Sequence, residues 1–376
     1  MQSQARKVKS GYCMNDAYQV QISTAFEDNA WDDFVESVPG GHFSQTSLWA
    51  QVKASLGWKV VRIIISNGDN IVAGAQILLR AISPFGALAY VSKGPVYISD
   101  DFTLADLLIE ELHRTCKKYH IQYLAIQPPN NGEAFVKHLL RRDFKKTKEE
   151  NINPPGTISI NLTWDNDEIL AQMRTEVRKT IGRSQRKGVT TREGSERDLN
   201  IFYQFLVATS KRKRFIVSTE AYFFKIWEVF NPCGYIKLFC AEYANEPISA
   251  LLAITYKDTV TIWRHGWSGE HGNLHPNVAL YWEVIQWAKS HNYHYIDLGG
   301  IHKTSAKKIL QGEKLTNEAF NTNTFFKLGF GGQVNLYPET YDFVYSPLIR
   351  WAYNDFYLVV KDWPITYKII NLLSRR

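Results

Sequence analysis

The densest run of chemically active side chains lies between Met173 and Gly188, where Arg174, Arg178, Lys179, Arg183, Arg186 and Lys187 are opposed only by Glu176. Arg174 and Arg178 are spaced by one helical turn, as are Lys179 and Arg183, so a helix would carry them as rows of cations. Such rows can neutralise successive phosphates of an RNA or of a phosphorylated substrate. A solvated helix face uses the same residues, and the spacing alone does not separate the two. Lys211-Arg212-Lys213-Arg214 forms a second basic cluster. Farther on, Asp297 ends a strand pattern in Asp297-Leu298-Gly299-Gly300, where a substrate cleft would open; the same carboxylate could instead cap the loop.

Several common chemistries find no motif. The sequence has no GxxxxGK[ST] phosphate loop, no HExxH metal helix and no GxSxG nucleophile elbow. His291 and His294 lack a third ligand at metal-site spacing and read as polar residues at a helix end, so no metal is expected. Cys13, Cys116, Cys233 and Cys240 form no CxxC pair and read as buried free thiols of a reducing compartment. No apolar leader opens the chain and no run of about 18 apolar residues occurs, so a cytoplasmic protein is expected. A formal charge of +7 favours an anionic partner, whether nucleic acid, phosphorylated substrate or acidic membrane surface.

The elements that must position these residues run in an order that repeats. At 376 residues, two domains are expected. In the first half a helix, Ser47–Ser55, precedes strands at Lys59–Ile65, Ile71–Leu79 and Ala87–Val91, with a hairpin turn at Asn67-Gly68. A helix at Leu104–Lys118 then leads to a strand at Tyr123–Gln127. In the second half, helices at Asp167–Gln185 and Asp198–Arg212 precede strands at Ile236–Tyr243, Ile248–Tyr256 and Thr259–His265, turning at Asn245-Glu246-Pro247 and Lys257-Asp258. A helix at Val278–His291 feeds a strand at Tyr295–Leu298. Corresponding elements lie about 175 residues apart, the mark of a duplicated module. An antiparallel meander followed by a helix and one more strand is an α+β arrangement with mixed pairing.

His42–Trp58 (HFSQTSLWAQVKASLGW) and Tyr90–Val96 (YVSKGPV) look like first-domain signatures of the Fem family of aminoacyltransferases. Met173–Val189 resembles its basic helix, ending in Lys187-Gly188-Val189. Tyr281–Ala288 (YWEVIQWA), Tyr295–Ile301 (YIDLGGI) and Phe325–Phe330 (FFKLGF) resemble its second-domain signatures. The matches are colinear, and their order and spacing give the resemblance its specificity.

The resemblance implies an α+β fold of two tandem GNAT-like acyltransferase domains, each a mixed, mainly antiparallel sheet with flanking helices. Domain 1 would cover residues 15–155 and bind the muropeptide precursor, completed by a C-terminal segment, 339–376; domain 2, residues 156–338, would carry aminoacyl transfer. The implied reaction moves an amino acid from aminoacyl-tRNA to a stem-peptide amine of a UDP- or lipid-linked muropeptide, with no cofactor. Arg174, Arg178, Lys179 and Arg183 would then meet tRNA or precursor phosphates. Lys53 falls where the family places a lysine on the precursor's phosphates, and Lys327 where a lysine is implicated in stabilising the oxyanion. On this reading Lys327 follows a last strand, Asn321–Phe326. Arg214 could replace a second phosphate-binding arginine. Trp263 and His265 stand where some members carry tyrosines, and with Asp297 they are candidate substrate contacts. The Gly-rich turn that holds coenzyme A in GNAT enzymes has no clean counterpart, although a GNAT-like N-acyltransferase using an acyl thioester is an alternative. A non-catalytic protein that binds tRNA or cell-wall precursor is a third. The aromatic tail Tyr341–Arg376 could pack on the first domain or touch a membrane surface weakly.

Overall fold

The computed structural model describes residues 4–8, 18–81, 86–99, 102–130, 132–147, 156–315, 323–347 and 350. The chain divides into two units, Met1–Pro154 with Pro338–Arg376, and Pro155–Tyr337.

In the first unit the sheet runs β1 (Gln4–Val8), β2 (Tyr18–Ser23), β3 (Lys59–Asn67), β4 (Asn70–Ala81), β5 (Ala87–Val91), β7 (Ile121–Ile126), β16 (Tyr341–Val344) and β8 (Lys145–Lys146), with β6 (Val96–Tyr97) paired to β4. Only β5 and β7 are parallel. A tight turn joins β3 to β4 through Gly68, whose φ of +58° a side chain would resist. Helices α1 (Asn29–Ser37) and α2 (Ser47–Ala54) lie between β2 and β3 in sequence, α3 (Phe102–Lys118) precedes β7, and α4 (Glu133–Arg141) precedes β8. Leu104, Leu108, Leu112 and Cys116 recur at helical spacing along α3, and this buried stripe packs on the sheet's core.

The second unit repeats the plan. Its elements are β9 (Gly156–Asn161), α5 (Asn166–Gln172), α6 (Thr175–Arg186), β10 (Val189–Glu193), α7 (Leu199–Lys213), α8 (Glu220–Phe230), β11 (Ile236–Tyr243), β12 (Glu246–Tyr256), β13 (Thr259–Trp267), α9 (Pro276–Ser290), β14 (Tyr295–Asp297), α10 (Lys303–Leu310), α11 (Asn323–Leu328) and β15 (Gln333–Leu336). The sheet order is β10-β11-β12-β13-β14-β9-β15, with β13 and β14 parallel. Beside β7 the first sheet takes in β16, which returns from beyond the second unit in sequence, and beside β14 the second sheet takes in its own first strand, β9. β9 follows the first unit's edge strand β8, and β16 follows the second unit's edge strand β15.

The tandem α+β expectation holds, and four details are corrected. The helix expected over Asp167–Gln185 is two helices, because Met173 and Arg174 adopt extended backbone, with ψ of 146° and 139°. Met173 is sunk in the core and the Arg174 N–H donates to Gly329 O at 2.9 Å, so tertiary anchors override helix propensity there. The strand expected to end at Phe326 is instead the short helix α11, described from Asn323, and it carries Lys327. The β11–β12 turn is Ala244-Asn245, both at positive φ, and Pro247 lies within β12. Cys116 and Cys240 are buried thiols, whereas Cys233 is exposed; Cys13 lies outside the described residues. The tail beyond Arg350 also lies outside them, and no helix among the described residues is long and apolar enough to cross a membrane.

Candidate active site

β13 and β14 pair only from Thr259–Thr261 to Tyr295–Asp297, after which they part. Each keeps its other neighbour. β13 stays zipped to β12 as far as Trp267↔Ser249. Beyond β14, Leu298 N–H donates to Ile158 O at 2.9 Å and Ile301 N–H to Gly156 O at 2.7 Å, so this side still holds β9. The opening is therefore confined to one seam. A bulge in β13 lies beside it, between the pairs Ala253↔Ile262 and Leu252↔Arg264, leaving Trp263 as the extra residue.

Lys327 fills the head of that seam. Its Nζ donates to Gly300 O at 2.9 Å and the side chain is only 5% exposed. A Cβ on Gly299 would lie 3.2 Å from Nζ and 2.6 Å from Ile262 O, so the close approach of β13, Lys327 and this turn requires glycine at 299, where φ is +79°. Burial lowers the Lys327 pKa from 10.5 to about 8, with Asp297 opposing the shift and Arg264 adding to it. The ammonium is thus a poorly solvated charge next to backbone carbonyls, poised to gain from any oxyanion placed beside it.

Helix α11 is too short to hold itself, and Arg174 fastens it. Its guanidinium lies 3.7 Å from the Phe325 ring centre and donates through Nη2 to Phe325 O at 2.6 Å. Gly329 makes room, since a Cβ there would come 2.5 Å from Arg174 Nη2. This residue was expected among phosphate ligands, but its head group is occupied within the fold. The next aromatics lock the other side: Tyr281 of α9 meets Phe326 at 5.0 Å and Phe330 at 5.4 Å. All three second-half signatures quoted above therefore pack around the same lysine.

Asp297 is held on every side. Oδ1 accepts from Thr157 Oγ1 and from Gly299 N–H, the latter at 2.7 Å, and Oδ2 accepts from the Tyr337 hydroxyl at 2.6 Å. Burial, with Asp297's charge behind it, pushes the Tyr337 phenol well above its ordinary pKa, so it remains a donor. Asp297 thus shapes the Gly299-Gly300 turn that presents a carbonyl to Lys327, and supplies a compensating charge.

His265 lies on the parted stretch of β13. Its Nε2 sits 2.9 Å from Ser249 Oγ and 3.2 Å from Asn277 Oδ1, and Tyr281 packs against the ring at 5.5 Å. Burial first, then the charge of Lys327, lowers its pKa to about 4 despite the bond to Asn277. Lys327, Asp297 and His265 are therefore brought together. Tyr281, which opens one of the quoted signatures, and Ser249, Asn277, Thr157 and Tyr337 complete their surroundings; the scatter of the last four along the chain left no sequence pattern to find them by.

The other candidates are elsewhere. Trp263 packs on Tyr222 and Phe223 of α8 at 6.1 and 5.9 Å. Arg178 and Lys179 are exposed on α6, and Arg183 pairs with Glu176 at 3.3 Å in a solvated bridge of small energetic worth. Arg214 is exposed at the end of α7 in a left-handed conformation. None of these contacts Lys327. In the first unit Lys53 is buried at the end of α2, its Nζ 4.6 Å from the Trp49 ring centre. There the two first-half signatures clasp one another: Gln45 Nε2 donates to Ser92 O at 2.7 Å, and Ser44 Oγ to the same oxygen at 3.0 Å.

The chain resembles known proteins in both units. Residues 26–138 match the FemAB family and residues 171–307 match an acetyltransferase (GNAT) domain. The chain is 24% identical over 232 residues to a lipid II:glycine glycyltransferase of Staphylococcus saprophyticus, covering 59% of this chain and 56% of that protein. It is 25% identical over 228 residues to a protein of the same name from Staphylococcus haemolyticus, covering 58% and 54%. The chain thus spans little more than half the length of these relatives. The crystal structure of FemX superposes with a TM-score of 0.74 at 16% identity, covering 87% of this chain and 98% of FemX. L-PGS from Bacillus licheniformis gives a TM-score of 0.55 at 13% identity, covering 93% and 98%. With a FemAB match on one unit, a GNAT match on the other and a fold like that of FemX, the chain is similar to the Fem family of GNAT-like proteins.

Proposed function

We propose that this chain is an acyltransferase that moves an aminoacyl group from the ester of an aminoacyl-tRNA to a stem-peptide amine of a lipid-linked peptidoglycan precursor. One observation carries the reading: a buried lysine, fixed at the point where β13 and β14 part, in a unit that matches an acyltransferase domain. Attack of an amine on an ester carbonyl needs the reactants oriented and the tetrahedral oxyanion stabilised. An ammonium held in place before the reaction favours the transition state, because negative charge gathers on the carbonyl oxygen only as the amine adds. The ester is already activated, so no serine or cysteine nucleophile is required.

The relatives' names support a lipid II acceptor and a cross-bridge product, and the exposed cations Arg178 and Lys179 suit a donor rich in phosphate. The GNAT match also favours a second reading, N-acylation from an acyl thioester. The test is to incubate the purified chain with charged tRNA, acyl-CoA and lipid II in separate pairings and weigh the products. A mass gain of one amino acid on lipid II with charged tRNA alone supports aminoacyl transfer. Gain only with acyl-CoA would move the assignment to the thioester reaction, and no transfer in either pairing would defeat both.

A further inference from the structure

We propose that His265 accepts the proton that the attacking amine must lose, through its Nδ1 atom. The inference rests on the acyl-transfer reading above and adds to it the group that handles the proton.

The orientation of the Asn277 amide, with Oδ1 toward the ring, assigns the tautomer. Nε2 lies between Ser249 Oγ at 2.9 Å and Asn277 Oδ1 at 3.2 Å. A carbonyl oxygen can only accept, so Nε2 carries the hydrogen and the ring's lone pair is left on Nδ1. Ser249 is itself fully buried and anchored, 3.1 Å from Gly266 O and 2.8 Å from Asn277 Oδ1. Tyr281 closes one face of the ring edge-on. The imidazole is held in place by groups on β12, β13 and α9, while no described residue hydrogen-bonds to Nδ1. A histidine kept only to satisfy a core would not need a basic nitrogen left over within the field of Lys327.

The chemistry needs such a group. When the amine adds, a C–N bond forms, the carbonyl π pair moves to oxygen and the nitrogen becomes cationic. That nitrogen must shed a proton before the C–O bond of the ester breaks. Nδ1 takes the proton, and the imidazolium then returns it to the leaving ester oxygen as the C–O bond breaks. One proton has passed from amine to alcohol and nothing is oxidised or reduced. Lys327 and His265 divide the work: the cation meets the oxyanion and the neutral base meets the ammonium. They are also coupled. The charge of Lys327 weakens His265 as a base in the resting protein. An oxyanion paired with Lys327 cancels that field, so the imidazole becomes more basic as the proton must move.

The test uses the full chain with glycyl-tRNA and lysine-containing lipid II. His265→Ala is expected to lower kcat by roughly 10²-fold, the scale of general-base catalysis, with KM for lipid II within about twofold. Added imidazole should restore part of that rate, and substituted imidazoles should restore more as their pKa rises. Asn277→Asp gives an independent readout. A carboxylate facing Nε2–H raises the ring's pKa against Lys327 and neighbouring Arg264, while the buried Tyr281 phenol stays neutral, so the acidic limb of the kcat profile should move to higher pH. A folded His265→Ala protein within a few-fold of the parent would overturn the proposal, as would a loss that no imidazole rescues together with an unmoved acidic limb in Asn277→Asp. A parent that transfers nothing to lipid II from tRNA charged with any amino acid or from acyl-CoA overturns the acyl-transfer reading itself, which separates the two failures.

Discussion

The two units share seven strands in the same sheet order, to which the first adds β1 and β6, and they differ at the seam between their parallel strands. In the first, β5 pairs with β7 along its whole length, from Ala87↔Ile121 to Val91↔Ile126. The zipper then continues: Gln127 N–H donates to Val91 O at 2.9 Å, Gly94 N–H to Gln127 O at 3.0 Å, and the Tyr90 hydroxyl to Gln127 Oε1 at 2.9 Å. Gln45 and Ser44 lace the following loop down. In the second unit the equivalent pairing stops at Asp297, and the space beyond it receives Lys327 and His265. Satisfying every backbone group across a seam leaves nothing there for a substrate, whereas an open seam leaves polar groups that a substrate can meet. The repeated fold thus pairs its parallel strands further along in the first unit than in the second.

The sharpest way to break this contrast is to add one methyl group to each seam. Gly299→Ala should collide with Ile262 O and crowd Lys327, and is expected to lower kcat by about 10²-fold or more, because a fixed cation displaced by ~1 Å loses most of its effect. Gly94→Ala meets the Gln45 amide at 2.7 Å and should loosen the first unit's clasp instead. A lower melting temperature with a rate per folded molecule within a few-fold of the parent is the expected outcome there. Equal catalytic losses from both would erase the distinction.

Arg174 sharpens the same comparison at one remove. Arg174→Ala removes the clamp on Phe325 and leaves Lys327 on a helix free to shift, so kcat should fall by roughly 10-fold while lipid II affinity holds. Gly329→Ala should mimic it by pushing on the guanidinium, and the two losses should not add, which a double-mutant cycle reads directly.

pH offers a gentler probe. The protonated form of Lys327 is the useful one, and burial has lowered its pKa to about 8, so kcat should decline as pH rises through that value. Asp297 opposes the downward shift; Asp297→Asn should lower the pKa further and move the alkaline limb to lower pH. A limb that stays put, or a rate that climbs through pH 8, would assign Lys327 a different role.

The smallest effect belongs to the surface of α6. Arg178→Ala with Lys179→Ala should weaken tRNA binding and reduce the log–log salt slope by roughly 0.7–0.9 for each phosphate no longer neutralised, with kcat at saturation little changed. An unaltered slope would return these residues to a solvated helix face.

Much of this architecture was legible in the sequence because it rests on local pattern. Ala87–Val91 and Ile236–Tyr243 are strands with the expected bounds, since short apolar runs between turn residues mark them. The site was legible only where the family's signatures marked it. Lys327 could be located along the chain, yet its strand was wrong, because α11 is held by Arg174 and Tyr281 from far away and not by its own six residues. Within the basic run, Arg174 departs from expectation for a similar reason. Arg174 looks like its neighbours in sequence, but a glycine at 329 lets it turn inward, and no reading of one helix reveals that. The partners of His265 come from β12 and α9, so the tautomer that gives it a role is a property of the fold alone.

The most direct test of the open seam is the single-turnover rate of Lys327→Ala beside the parent, with charged tRNA and saturating lipid II. A loss of roughly 10²–10³-fold, with melting temperature and lipid II affinity unchanged, is the result expected when one oxyanion donor is removed. Lys327→Arg should recover only part of that rate, because a planar guanidinium presents its charge differently. If Lys327→Ala turned over within a few-fold of the parent, the open seam would not be the seat of the chemistry.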